Sequence, residues 1–70
     1  MEIKEVKERL AKIKEHSKYD NERAHGIEDR LLEDFVEAIK DNKYKTKEKI
    51  IEVATEVYKA REIWFVRWYA

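Results

Sequence analysis

The 70-residue chain contains no proline and a single glycine, Gly26. Because proline and glycine are the residues that most often end helices and form turns, their near absence favours long helices over sandwiches and barrels. Charged residues make up 46% of the sequence, and the apolar residues between them recur every three or four positions, as in amphipathic helices. We therefore predict an all-α fold with a single helical domain, residues 1–70.

Three helices are predicted, at about residues 2–17, 21–40 and 46–67. The first has a narrow apolar stripe, formed by Ile3, Val6, Leu10 and Ile13, and the other two have wider ones. Asp20 and Thr46 are suitable N-caps for the second and third helices. Since the connections are short, neighbouring helices should be antiparallel. The sequence thus predicts an antiparallel up-down-up three-helix bundle.

Two charged residues, Glu28 and Arg61, fall in the middle of the apolar stripes of the second and third helices at about 100° per residue. If Ile39 lies opposite Ile50 across the short connection, the same register places Glu28 opposite Arg61. We interpret the two as a buried ion pair that fixes the helix register, since a lone buried carboxylate would be costly. A binding or catalytic centre is the alternative interpretation.

A polar ridge on the second helix surrounds this pair. The register places His25 near Trp64 and Glu22 near Arg67, so the predicted polar network comprises Glu28, Arg61, His25, Asp29, Glu22 and Arg67. Glu-x-x-His is also the ligand pair of carboxylate-bridged di-metal bundles, which makes Glu22, His25 and Glu28 weak metal candidates, with Glu52 or Glu56 as additional ligands in a homodimer. An ordinary polar network is the simpler interpretation, and no cofactor is expected.

Several functional classes find little support in the sequence. The absence of cysteine excludes a thiolate nucleophile or zinc site, and no glycine-rich phosphate loop is present, so we predict a non-enzyme without catalytic residues. Lys+Arg and Asp+Glu balance at 16 each, which argues against nucleic-acid binding. No apolar segment is long enough to span a bilayer or to serve as a signal peptide, so no membrane association and a cytoplasmic location are expected.

Aromatic residues concentrate at the C-terminal end. One helix cannot bury all of Trp64, Phe65, Trp68 and Tyr69, and such residues dominate the binding energy of protein interfaces. A chain this small has only a marginal core, which dimerisation can reinforce. We therefore predict that these four residues bind a protein partner or a second copy, with a homodimer expected; the alternative is that Trp64, Phe65 and Trp68 complete the core.

Two separate patches of the sequence carry a recognisable residue pattern. One is Asp20-x-Glu22-x-Ala24-His25-x-x-Glu28-Asp29-x-Leu31, and the other is Phe65-x-Arg67-Trp68-x-Ala70. Together they resemble a group of short uncharacterised helical proteins of bacteria, phages and prophages. The resemblance implies a small cytoplasmic accessory protein of phage or prophage origin, directed at a host defence or regulatory protein.

Two functional hypotheses follow. The first is a small non-enzymatic interaction protein that acts by binding a partner protein. The second is a helical protein that binds a metal or a small anion through the ridge of Glu22, His25, Glu28 and Asp29.

Overall fold

The computed structural model describes residues 1–67 as three helices and a short C-terminal extension. Helix α1 spans Ile3–His16, α2 spans Asn21–Lys40 and α3 spans Lys47–Tyr58. A 3₁₀ helix, Lys59–Glu62, continues directly from α3, and residues 63–67 carry no further helix. The described part of the chain contains no strand. The prediction of an all-α three-helix bundle is therefore confirmed.

Contacts between distant residues define the up-down-up arrangement. Arg9 of α1 donates to Asp34 in the second half of α2, with 2.7 Å between Nη1 and Oδ2, and because only residues 17–20 connect these two packed helices, they are antiparallel. The hydroxyl of Tyr44, just before α3, donates to the carbonyl of Met1 at 3.3 Å. The beginnings of α1 and α3 therefore lie at the same end of the bundle.

The helix boundaries follow local sequence chemistry. Asp20 accepts a hydrogen bond from the backbone N–H of Arg23 at 3.1 Å, and Thr46 accepts one from the N–H of Lys49 at the same distance. Both side chains are the predicted N-caps, and each satisfies a backbone donor that the first turn leaves free. After α2, Asn42 has a φ of 56°, a left-handed conformation that asparagine tolerates better than most residues.

The core is small and runs along the interface of all three helices. Its apolar members are contributed by every element, including the C-terminal extension: Val6, Ile13, Ala24, Leu31, Ala38, Tyr44, Val53, Val57, Ala60 and Phe65. Val6 and Ile13 belong to the predicted stripe of α1, and both are fully buried. Within residues 1–67, no helix combines the length and apolar character needed to cross a membrane.

The third helix is shorter than predicted, because it ends at Tyr58 rather than near Arg67. Residues 63–67 instead alternate between the protein interior and solvent. Ile63, Phe65 and Arg67 are half-buried or buried, whereas Trp64 and Val66 between them are exposed. An inside-outside period of two residues is that of an extended segment, and bulky β-branched and aromatic residues favour such a backbone.

Gly26 lies in the interior of α2, and a Cβ placed there would meet no atom within 4 Å. We expect Gly26→Ala to raise the free energy of unfolding by about 1 kcal/mol, since alanine stabilises a helix interior relative to glycine by that amount. Urea unfolding followed by circular dichroism measures the change. Ala11→Gly, at an exposed position of α1, is the matched control, and it should lower the free energy of unfolding by a similar amount. A destabilised Gly26→Ala variant would contradict the expectation.

Candidate functional site

Glu28 is the most deeply buried charged residue described, with 1% of its surface exposed. Its Oε2 atom accepts a hydrogen bond from Nε of Arg67 at 2.7 Å. The same guanidinium donates to the carbonyls of Ala60 and Ile63, each at 2.9 Å, and lies 3.9 Å from the ring centre of Phe65. Arg67 thus joins the end of the 3₁₀ helix and the C-terminal extension to α2.

Arg61 lies close to Glu28, as the helical register predicts, but it is not the buried partner of the carboxylate. Its Nη1 atom is 3.8 Å from Oε1 of Glu28, too far for a hydrogen bond, and its side chain is 56% exposed. The Oε1 atom is buried and accepts no hydrogen bond within the described residues. Because the 3₁₀ helix ends at Glu62, residues 63–67 bring Arg67 to the carboxylate, and Arg61, within the 3₁₀ helix, remains at the rim.

The rest of the predicted polar network is only partly assembled. His25 is buried, with its Nε2 atom 3.4 Å from Oδ1 of Asp29 one turn later. Glu22 is exposed, and the guanidinium of Arg67 contacts Glu28, not the predicted neighbour Glu22. The structure therefore places Glu28 and Arg67 together, with Arg61 at the edge, and forms a separate contact between His25 and Asp29.

The weak metal candidates do not converge. Among residues 1–67, no group of three or more His, Asp or Glu side chains could hold a metal ion. Glu28 directs its carboxylate to Arg67, and Glu22 lies on the surface. The geometry therefore gives no support to a metal or anion site on the ridge.

The hydroxyl side chains of serine and threonine serve the helices. The Ser17 hydroxyl donates to the carbonyl of Lys14 at 2.6 Å, and that of Thr55 donates to the carbonyl of Ile51 at 2.7 Å. Thr46 is the N-cap of α3. The chain contains no other serine or threonine. All three hydroxyls have the local partners that such residues often find in or beside helices.

The two C-terminal aromatic residues that the structure describes, Trp64 and Phe65, differ in their burial. Phe65 is buried in the core, with 4% of its surface exposed, whereas Trp64 is 83% exposed. The prediction that Phe65 is a partner-binding residue is therefore wrong, because its side chain packs inside the bundle. Trp68 and Tyr69, the other two predicted partner-binding residues, lie outside the described residues.

A second exposed surface, which sequence reasoning missed, lies along α2 and α3. We call it the α2–α3 apolar face; its members are Leu32, Val36, Ile39, Ile51, Ala54 and Tyr58. Val36 and Tyr58 are 63% and 67% exposed, and Ile39 and Ile51 are also exposed. On each helix the three residues fall within about 60° of arc. The wide apolar stripes of α2 and α3 could have indicated this face from the sequence, because they contain more apolar residues than the core buries.

The position of α1 shows which way this face is directed. Asp34 contacts Arg9 of α1, so α1 covers the flank of α2 that carries Asp34. Lys49 is 4.0 Å from Glu2, so α1 likewise lies against one flank of α3. The apolar face occupies the other flank of each helix at about 100° per residue. Both halves therefore face away from α1.

Comparison with known proteins finds no matching family model. Neither the curated proteins nor the solved structures include a significant match. The resemblance carried by the two sequence patches accordingly stays a prediction.

Proposed function

We propose that this protein is a small interaction module and that its α2–α3 apolar face binds a second copy of the chain. The exposure of large apolar side chains on two adjacent helices carries the proposal. Val36, Ile51 and Tyr58 are each more than half exposed. Side chains of this size on neighbouring elements are typical of a surface that another protein covers.

A second copy suits this face for two reasons. A two-fold axis would place α2 of one copy against α3 of the other, so that Val36 meets the strip containing Ile51 and Tyr58 twice in a self-complementary interface. The small core is the second reason, because a domain of this size gains stability by burying further apolar surface through oligomerisation.

The charges of the chain also permit self-association. Asp29 and Glu33 border the face on α2, and Lys59 and Glu62 border it just after α3, where Lys59 pairs with Glu56. With 16 positive and 16 negative side chains, two copies approach each other without net repulsion.

Tyr58→Lys is expected to weaken self-association by about 30-fold in the dissociation constant, since losing an interface tyrosine costs roughly 2 kcal/mol. Tyr19→Lys is the matched control, because Tyr19 is also 67% exposed but lies in the turn between α1 and α2. Sedimentation equilibrium over a wide concentration range measures both variants. We expect the control to associate like the unaltered protein.

A second substitution on the other helix, Val36→Lys, should weaken association as Tyr58→Lys does. If the unaltered protein stays monomeric at every concentration, or if Tyr19→Lys and Tyr58→Lys weaken association equally, the proposed self-association through this face is wrong.

A further inference from the structure

A cationic cleft lies between α1 and α2, on the flank of α2 opposite the α2–α3 apolar face. Its volume is about 570 Å³. Arg9, Lys12 and His16 line it from α1, and Arg23 and Arg30 line it from α2. The only carboxylate in the lining is that of Glu15. Four permanent cations therefore line an open cleft of the size that small ligands occupy.

The two ends of the cleft differ in how their charges are compensated. At one end, Asp34 lies 2.7 Å from Nη1 of Arg9 and 3.2 Å from Nε of Arg30. The hydrogen bond from Arg9 holds the pKa of the Asp34 carboxyl below its usual range, so this end keeps its counter-charge at neutral pH. Lys12 lies one helical turn beyond Arg9, away from Asp34. It makes no ion pair or hydrogen bond with any residue of the described chain.

The other end of the cleft is left uncompensated. The guanidinium of Arg23 makes no contact of either kind within residues 1–67. Nearby, the Nδ1 atom of His16 is buried and has no hydrogen-bond partner in that range. Arg23 and Lys12 therefore form the end of the cleft where positive charge is not met by the protein itself, with the unpartnered Nδ1 atom of His16 buried beside them.

The floor of the cleft is apolar and open. It is formed by Gly26 and the half-buried Ile27. Glycine makes a helix interior less stable than alanine does. Packing does not require it at position 26, because a Cβ there would meet no atom within 4 Å. The glycine thus leaves the backbone of α2 accessible beside Ile27, at a place where a larger side chain would occupy the space.

We propose that this cleft binds a small phosphorylated organic molecule, with its phosphate between Lys12 and Arg23 and its organic part on Gly26 and Ile27. An arginine fork pairs with two phosphate oxygens at once, and a lysine adds a point charge. A bare phosphate would leave most of the cleft empty, so the apolar floor favours a ligand that carries an organic group. This proposal does not depend on the self-association of the α2–α3 apolar face.

Titration of the ¹⁵N-labelled protein with phenyl phosphate and with inorganic phosphate, followed by NMR chemical shifts, tests the proposal. We expect shifts at the amides of the cleft residues and an affinity for phenyl phosphate about tenfold higher than for inorganic phosphate, since about 1.4 kcal/mol of apolar contact gives that factor. Equal affinities, or shifts that spread over the whole surface, would overturn the proposal.

Two variants locate the binding. Lys12→Gln with Arg23→Gln should weaken phenyl phosphate binding at least tenfold. Lys7→Gln with Lys14→Gln changes the net charge equally at exposed positions of α1 outside the cleft, and should leave binding unchanged. An equal loss in both double variants would show that general charge attraction is responsible, which contradicts a defined site.

A third variant tests the apolar floor. Gly26→Leu fills the open space beside Ile27 and should reduce binding of phenyl phosphate while leaving that of inorganic phosphate nearly the same. If Gly26→Leu binds phenyl phosphate as well as the unaltered protein does, the organic group does not lie on this floor and the proposal is wrong. Its circular dichroism spectrum confirms that the variant is folded.

Discussion

Replacing Phe65 with alanine is expected to lower the free energy of unfolding by about 3 to 5 kcal/mol, the usual cost of removing a buried aromatic side chain. Phe65 is 4% exposed and belongs to the core although it lies beyond the last helix. Since a domain of this size is stable by only about 0.05 to 0.15 kcal/mol per residue, the change removes a large share of the total. Urea unfolding followed by circular dichroism measures it.

The neighbouring tryptophan provides the control. Trp64→Ala should change the free energy of unfolding by no more than about 0.5 kcal/mol, because a side chain that is 83% exposed contributes little to the fold. Phe65→Leu, a milder change, keeps a folded protein available if the alanine variant does not fold. Equal destabilisation by Trp64→Ala and Phe65→Ala would contradict the alternating placement of residues 63–67.

Replacing Arg67 with alanine is expected to lower the free energy of unfolding by about 3 kcal/mol, because it leaves the carboxylate of Glu28 buried without its hydrogen-bonded counter-ion. The carbonyls of Ala60 and Ile63 also lose the donor that Arg67 supplies. Chemical denaturation of Arg67→Ala and of the control variant Arg61→Ala measures the free energy of unfolding of each. That control should cost less than about 1 kcal/mol, as an exposed ion pair does.

A double-mutant cycle separates the ion pair from the other contacts of Arg67. Glu28→Leu with Arg67→Leu should recover part of the loss of the single variants, since no charge is then left buried. Recovery should be incomplete, because the carbonyls of Ala60 and Ile63 still lose their donor. Additive losses would show that Glu28 and Arg67 do not interact, and a larger effect of Arg61→Ala than of Arg67→Ala would favour the pairing predicted from the helical register.

Phe65 and Arg67 both attach the C-terminal extension to the rest of the bundle. Phe65 supplies apolar contact and Arg67 supplies the charge that Glu28 requires. Because the carboxylate is 1% exposed, a substrate cannot reach it while the extension is in place. The buried ion pair is therefore part of the fold, and the two proposed binding surfaces, the α2–α3 apolar face and the cationic cleft, lie elsewhere.

The sequence alone determined the features that depend on local chemistry. The apolar spacing predicts three helices, Asp20 and Thr46 cap two of them, and the phase of α2 places Glu28 on the inner face. Each of these follows from interactions within a few residues along the chain. Over that distance the helical repeat of about 3.6 residues sets the side of the helix on which each side chain lies. The aspartate-asparagine turn after α2 is of the same kind.

Only the tertiary structure decided which arginine reaches Glu28, which aromatic residue is buried and which apolar residues remain exposed. The third depends on how the helices pack against one another, and the first two depend on the path of the backbone after the 3₁₀ helix ends at Glu62, since residues 63–67 carry no further helix. That path reflects packing against residues some 40 positions away, such as the contact of Arg67 with Glu28. Helical periodicity cannot predict it, because periodicity describes a residue relative to its own helix and not relative to the neighbours that compete for the core.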